Sequence, residues 1–186
     1  MTVIEALVLL SGPVAAGKTS VRQELINAHG FDYVRTSSYL IELLGGHGEQ
    51  AGRRDLQTLG DRLDEETDYR WVLDEVARPG FISAPEQRRW IVDAVRKRRQ
   101  IEHFRAACPD QVFHVHLHAP EDVLRLRYAA RSSLEKDNIA YDIAINHDNE
   151  IAARGLLKIA DLVLDSNLMS PSSLANVIVE KINLGG

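Results

Sequence analysis

Apolar and polar residues fall along the chain in blocks that switch between two periods. Leu7-Val8-Leu9-Leu10 is an unbroken apolar run, the pattern of a strand covered on both faces. Between Lys18 and Ala28 the apolar positions Val21, Leu25 and Ala28 have helical spacing, and Gly30 follows where helix C-termini favour glycine. Phe31 to Arg35 predicts a second strand ending in Thr36-Ser37-Ser38, then a short helix from about Tyr39 to Leu44. After the break at Gly45-Gly46-His47-Gly48, Arg53 to Arg78 predicts helix, with Leu56, Leu59 and Leu63 on one stripe and Val72 and Val76 on another. Pro79-Gly80 is expected to end it. Trp90-Ile91-Val92 predicts a third strand ending at Asp93, Arg96 to Ala107 a helix, and Val112 to Ala119 a fourth strand. Pro120-Glu121-Asp122 supplies the acidic first turn of a helix running to about Arg131. Leu162-Val163-Leu164 predicts a fifth strand, and Ser172 or Ser173 the cap of a last helix carrying Leu174, Val177, Ile178 and Ile182. Strands alternating with helices predict a parallel α/β sheet with right-handed crossovers.

The first strand-to-helix junction carries the chemistry. Gly12-Pro13-Val14-Ala15-Ala16-Gly17-Lys18-Thr19, with Ser20 beyond it, matches a glycine-rich phosphate loop. Backbone N–H groups of such a loop cradle phosphate oxygens, and the helix beginning near Lys18 adds the positive end of its dipole. Gly12 and Gly17 allow backbone shapes that a β-carbon obstructs. Lys18 is expected to reach the β- and γ-phosphates of ATP, and the Thr19 hydroxyl to bind Mg²⁺. An accidental match is expected in roughly one chain of this length in a hundred. No Asn-Lys-x-Asp segment of the guanine-reading kind is present, which favours ATP over GTP.

Mg²⁺ in such a site calls for a carboxylate at the end of a neighbouring strand. The fourth strand, Phe113-His114-Val115-His116-Leu117-His118, has none. The third ends in Asp93, placed to hold Mg²⁺ through water or to accept a proton from an attacking hydroxyl. Arg96, three residues on, can clamp an acceptor phosphate. Val92-Asp93-Ala94-Val95-Arg96 resembles the Asp-Gly-x-x-Arg element that ends the third strand of the nucleoside-monophosphate-kinase group, the adenylate-kinase-like and deoxynucleotide-kinase-like P-loop kinases. Ala94 stands in place of the glycine. Thr36-Ser37-Ser38 resembles the group's Thr-Gly-Asp, keeping the threonine and losing the acid.

The resemblance covers the whole chain. It implies a three-layer α/β fold around a five-stranded parallel sheet of order 2-3-1-4-5. One P-loop kinase domain would span 1–186, its core made of 1–38, 88–131 and 155–186. A helical acceptor-binding insertion would occupy about 39–87, and a short lid about 132–154. Arg127 and Arg131 match the Arg-x₃-Arg spacing at the base of the lid. Spaced i and i+4, they share a helix face and can neutralise charge on a transferring phosphoryl group. Arg125 lies on another face, and Arg154 resembles a further lid arginine. On the acceptor side the resemblance points to Arg53 or Arg54 for a phosphate, Tyr39 or Trp71 for stacking on a base, and Gln100 for a hydrogen bond to it, with Thr36 beginning the site; for Trp71 a place in the core is the simpler account. His114, His116 and His118 share one face of the fourth strand, where packing under helices is a simpler account than metal binding.

Composition narrows the setting. The 186 residues are 45% hydrophobic and 26% charged, a profile suited to one globular domain. A net charge of −5 argues against broad electrostatic attraction to nucleic acid. One cysteine, Cys108, forms no internal disulfide and points to a reducing, cytoplasmic setting. No apolar run reaches the length of a membrane span, the N-terminal segment makes a poor signal peptide, and the lid has no cysteine cluster for structural zinc. The expected activity is ATP-dependent phosphoryl transfer to a nucleoside or deoxynucleoside monophosphate by a monomer or homodimer. Another small metabolite, a modified base within nucleic acid, or a non-catalytic ATP-sensing role remain open at this point.

Overall fold

The computed structural model describes residues 3–45, 52–132 and 140–184. Five parallel strands form one sheet: β1 (Ala6–Ser11), β2 (Asp32–Tyr33), β3 (Arg89–Val92), β4 (Val112–His118) and β5 (Leu162–Asp165), in the order β2-β3-β1-β4-β5. β1 is central and wholly buried, as its unbroken apolar run requires. Its alternating side chains serve two cores. Ala6, Val8 and Leu10 pack with Val21 and Leu25 of α1 (Lys18–His29) and with Leu174 and Ile178 of α9 (Pro171–Leu184). Leu7 and Leu9 pack on the opposite face with Trp71, Leu73, Ile101 and Phe104. Each fully buried Leu or Ile contributes about 1.5–3 kcal/mol from water exclusion, so the sheet is held from both sides.

The remaining helices are α2 (Thr36–Leu43), α3 (Arg53–Glu66), α4 (Arg78–Ser83), α5 (Arg98–Ala107), α6 (Glu121–Ser132), α7 (Tyr141–Ile145) and α8 (Asp148–Gly155). No described helix is long and apolar enough to cross a membrane. The sheet order and the helices on both faces are those expected. The second strand is shorter than expected because it is an edge: only Asp32 and Tyr33 pair with β3, although the Val34 N–H still donates to the Ile91 carbonyl. α2 begins at Thr36, three residues early, because the Ser38 and Tyr39 N–H groups bond to the Arg35 carbonyl. α5 begins at Arg98, two residues late; the Gln100 side-chain oxygen accepts the N–H groups of Arg96 and Lys97 and so supplies the cap.

The stretch expected as one helix from Arg53 to Arg78 is three pieces. Asp68 (φ 49°) and Tyr69 (φ 64°) are left-handed and end α3. A π-helical segment, Val72–Ala77, follows, with the Arg78 N–H donating to the Leu73 carbonyl five residues back. Pro79-Gly80 does not stop the helix. The proline lies in the first turn of α4, where its missing N–H is not needed, and the helix continues to Ser83. The last helix is capped by Ser170, whose Oγ accepts the Ser173 N–H at 3.1 Å, rather than by Ser172 or Ser173.

His114 and His116 are buried and flank the Ser11 hydroxyl at 2.7 and 2.9 Å. The Ile159 carbonyl, 3.4 Å from His114 Nδ1, can only accept. His114 therefore carries its proton on Nδ1 and accepts the Ser11 hydroxyl proton at Nε2, while His116 Nδ1 donates to the same oxygen. Burial pushes both rings down to about 4. Both stay neutral when folded, while the unfolded chain binds a proton at each below its ordinary value near 6.5. Stability is then expected to fall by about 1.4 kcal/mol per pH unit per ring as pH drops from 6.5 toward 4. Urea unfolding at several pH values should show this slope, reduced by about one proton in His114→Asn or His116→Asn. An unchanged slope in both variants overturns the assignment.

Candidate active site

The C-terminal end of β1 runs straight into the phosphate loop. Gly12 has φ 138°, and a β-carbon there would sit 2.2 Å from the Leu117 carbonyl oxygen, so only glycine lets the loop leave the sheet at this height. Ala15 (φ 63°) and Gly17 (φ 90°) are left-handed, which curls the loop and turns backbone N–H groups toward its centre. A non-glycine residue held left-handed stores strain of about 1–2 kcal/mol, a feature that gathers at ligand clamps.

Lys18 folds back over its own loop, donating to the Gly12 and Pro13 carbonyls at 2.7 and 2.8 Å. Burial pushes its ammonium down to about 8; Glu150 and Asp93 oppose that fall, while Arg96 and Arg131 add to it. Around the loop lies a cavity of about 1050 Å³, lined by Gly12, Val14 to Val21, Asp93, Arg96, Arg127 and Arg131. The segment after β5, from Ser166 to Pro171, lines it too, together with Leu174. The lining thus combines loop amides and cations with Leu168, Met169, Pro171 and Leu174. That combination suits a ligand with a polyanionic end and a flat apolar end.

The expected residues fall into place unevenly. The loop from Gly12 to Ser20 lines the large cavity except Pro13, which is buried and gives its carbonyl to Lys18. Asp93 lines it too, and its Oδ2 accepts the guanidinium of Arg22 from α1. The same Arg22 lies 4.4 Å from the centre of the Tyr33 ring. Arg127 and Arg131 both reach the cavity, as their shared helix face requires. Arg127 is oriented by Ser166, donating to its hydroxyl and carbonyl at 2.9 and 2.8 Å. Arg154 pairs with Glu121 at 2.9 Å and lines neither cavity described here.

A second cavity of about 270 Å³ opens beside the first, walled by Thr36, Ser37, Gln57, Asp61, Asp64, Trp71, Ala94, Gln100 and Asn149. Arg96 lines both cavities. Thr36 and Gln100 belong to this second wall, whereas Tyr39 lines neither cavity and stacks on Trp71 with ring centres 6.0 Å apart. Trp71 is buried, with its indole N–H on Asp64 at 2.8 Å. The side chains of Arg53 and Arg54 and residues 133–139 of the expected lid lie outside the described residues.

Several residues were not visible as site residues in the sequence. Glu150, in α8, extends a carboxylate into the phosphate loop, where Oε1 accepts the Val14 N–H at 2.7 Å. It occupies an amide that the loop offers to an anion. Its chain neighbour Asn149 donates to Asp61 of α3, so α8 touches both cavities. Ser166 and Asn167 sit directly after an apolar strand at the end where open α/β sheets bind ligands, a positional signal that the sequence does contain. Asp64 has no such signal. Among the described residues no group of three or more His, Cys, Asp or Glu side chains could hold a metal, and His114 and His116 of the fourth strand are engaged by Ser11.

No protein-family model matches the sequence, and no curated protein matches it. The architecture is that of the P-loop kinases. A chain from Chloroflexus aurantiacus assigned as a kinase superposes with a TM-score of 0.60 at 15% identity, covering 100% of both chains. A gluconokinase from Sinorhizobium meliloti gives 0.56 at 15% identity over 97% of this chain and 93% of that one. A shikimate kinase from Acinetobacter baumannii, in complex with shikimate, gives 0.52 at 18% identity over 95% and 92%. At these identities the likeness is one of fold.

Two outcomes follow from the loop. Gly12→Ala is expected to lose about 2–4 kcal/mol through the clash with the Leu117 carbonyl and the forced backbone, measurable by denaturant unfolding. A loss under about 1 kcal/mol contradicts the close approach. Glu150→Gln removes a negative charge that competes for the loop, so MgATP affinity at pH 7 should rise about five- to tenfold by calorimetry. Weaker binding would assign Glu150 to the ligand-bound arrangement instead.

Proposed function

We propose that this chain is an ATP-dependent phosphotransferase whose acceptor is a nucleoside or deoxynucleoside monophosphate. The observation that carries the proposal is the pair of cavities meeting at Arg96 and the end of β3. The larger, built on the phosphate loop, suits a nucleoside triphosphate. The smaller, walled by α2 and α3, suits the group that receives the phosphoryl. In this arrangement residues 39–87 form the acceptor-binding insertion and 132–154 the lid.

The roles follow from position. Loop amides and Lys18 bind the donor phosphates; Lys18 exchanges its two carbonyl partners for phosphate oxygens, which restores its full charge. Arg127 and Arg131 face the same space and offset charge as the phosphoryl group moves. Arg96 stands between the compartments, where an acceptor phosphate and the donor approach each other. Asp93 accepts the proton of the attacking oxygen or orients the metal's waters. Thr19 and Asp93 are hard oxygen donors in one cavity and fit Mg²⁺, which would supply charge neutralisation between the phosphates when bound.

A second acceptor class is favoured by two observations: about 270 Å³ is small for a binding cavity, and two of the fold neighbours are named gluconokinase and shikimate kinase. Small hydroxylated acids therefore belong in the test panel. ADP release from ATP and Mg²⁺ should depend on one member of a panel of nucleoside monophosphates and hydroxy acids. Lys18→Ala is expected to reduce kcat/KM by about 10²–10³-fold and Asp93→Asn by about 10²-fold or more, both with the fold retained by circular dichroism. Near-normal turnover in Lys18→Ala would falsify the kinase assignment, and acceptor-independent ADP release would point to an ATPase or sensor.

A further inference from the structure

The second cavity contains a carboxylate whose partners define what it can recognise. Asp64 is 8% exposed, in the last turns of α3. Both of its hydrogen bonds from described side chains fall on one oxygen: the Trp71 indole N–H at 2.8 Å and the Gln100 amide N–H at 3.1 Å, each to Oδ1. Oδ2 has no hydrogen-bond partner among the described residues and is not sealed from solvent, and Asp64 lines the second cavity. Burial raises the Asp64 pKa, and the hydrogen bonds from Trp71 and Gln100, with Lys97 nearby, oppose the rise. The two donors on Oδ1 favour the ionised form.

Gln100 is committed to this arrangement. Its side-chain oxygen accepts the Arg96 and Lys97 N–H groups at 2.9 and 3.1 Å, and its amide nitrogen donates to Asp64. The oxygen that capping requires thus fixes which way the amide faces, and the amide in turn fixes Asp64. Gln100 is a positioning residue, and the group presented to an acceptor is the free oxygen of Asp64. A half-satisfied carboxylate in a largely buried wall loses free energy unless a ligand completes it, and it accepts hydrogen bonds but does not donate them.

We propose that Asp64 determines acceptor specificity, by accepting a hydrogen bond from an N–H or O–H donor at the end of the acceptor remote from the phosphoryl-receiving oxygen. For a nucleoside monophosphate the donor is an exocyclic base amine. This inference rests on the phosphotransferase assignment above and deepens it. Arg96 at the junction and Asp64 in the wall make the cavity bipolar, with a cation toward the donor phosphates and an anion away from them. An acceptor anionic at one end and hydrogen-bond-donating at the other matches that polarity. One made only of carbonyl groups at its far end meets Asp64 with lone pair against lone pair.

The wall also foretells what an isosteric change does. In Asp64→Asn the Trp71 and Gln100 N–H groups still require an acceptor, so the new amide keeps its oxygen on them. Its NH₂ then faces the cavity, converting an acceptor site into a donor site without altering shape.

The experiment measures kcat/KM for acceptor pairs that differ only in the exocyclic amine: AMP against purine ribonucleoside monophosphate, and CMP against its 2-pyrimidinone counterpart. Wild-type protein is expected to favour the amine-bearing member of the pair it accepts by about 10²-fold or more. In Asp64→Asn the ratio should collapse toward one or reverse, with MgATP affinity unchanged. A wild-type ratio below about threefold overturns the proposal even if the variant does not fold, and so does a ratio that Asp64→Asn leaves intact. If hydroxy acids such as gluconate or shikimate are phosphorylated in place of nucleotides, the nucleotide assignment fails. Asp64 is then judged on the same scale, using each acid against its deoxy analogues. Absence of turnover with every acceptor overturns the kinase assignment and this inference together, whereas turnover with an unchanged ratio overturns the inference alone.

Discussion

The contact between Gly12 and the Leu117 carbonyl governs the rest of the molecule. The backbone of the phosphate loop lies directly against β4, at a distance that leaves no room for a side chain. That contact depends on β1 and β4 keeping their register, which pairs Leu10 with Val115 and Ser11 with His116. The Ser11 hydroxyl, shared by His114 and His116, pins the same register from beneath. A slip of one residue would reverse every side chain of a strand that feeds two cores, and it would remove the loop from the plane where the ends of β1, β3 and β5 converge. The site is therefore built on strand pairing first and on side-chain chemistry second.

Above that base, each charged group rests on a partner it can give up. Lys18 lies on two loop carbonyls, Asp93 holds Arg22, Arg127 leans on Ser166, and Glu150 takes the Val14 amide. A cluster of cations around an open cavity would otherwise repel itself; burial is the main cause of the fall in the Lys18 pKa, and Arg96 and Arg131 add to it. Internal partners hold the geometry, and in the proposed function a phosphate chain would replace them without the site having to reorganise at large. Such exchange of partners is a route to preorganisation in which little ordering is left for the moment of binding.

The phosphate loop was legible in the sequence because its demands are local: a glycine where the backbone leaves the sheet, a glycine at the helix start, a lysine and a hydroxyl at fixed offsets. The sheet order was implied by the resemblance to the P-loop kinases, the place of Asp93 followed from a strand ending where ligands bind, and the shared face of Arg127 and Arg131 followed from helical spacing. The acceptor wall was less legible because it is assembled from distant parts. Asp64 gains its meaning from Gln100, 36 residues away, and Glu150 from Val14, 136 residues away; neither has a period or motif. Gln100 was noted for a different reason, as a partner for a base, whereas its amide is engaged with Arg96, Lys97 and Asp64. Pro79-Gly80 misled because a proline in the first turn of a new helix looks, in sequence, like one that ends the old helix. Tyr39 was expected to face a base, and it faces Trp71.

Asn149 and Glu150 are consecutive residues with different attachments, one to Asp61 in the acceptor wall and the other to the phosphate loop. In the proposed phosphotransferase, a phosphate group that took over the Val14 amide would release one of these anchors and leave the other. The first turn of α8 would then answer to α3 alone. On that proposal, occupancy of one compartment would be registered in the wall of the next across a single peptide bond, with no subunit rotation or long relay between them. The order in which the two ligands arrive, and not only how tightly each is held, would then be a property of where two neighbouring side chains are tied.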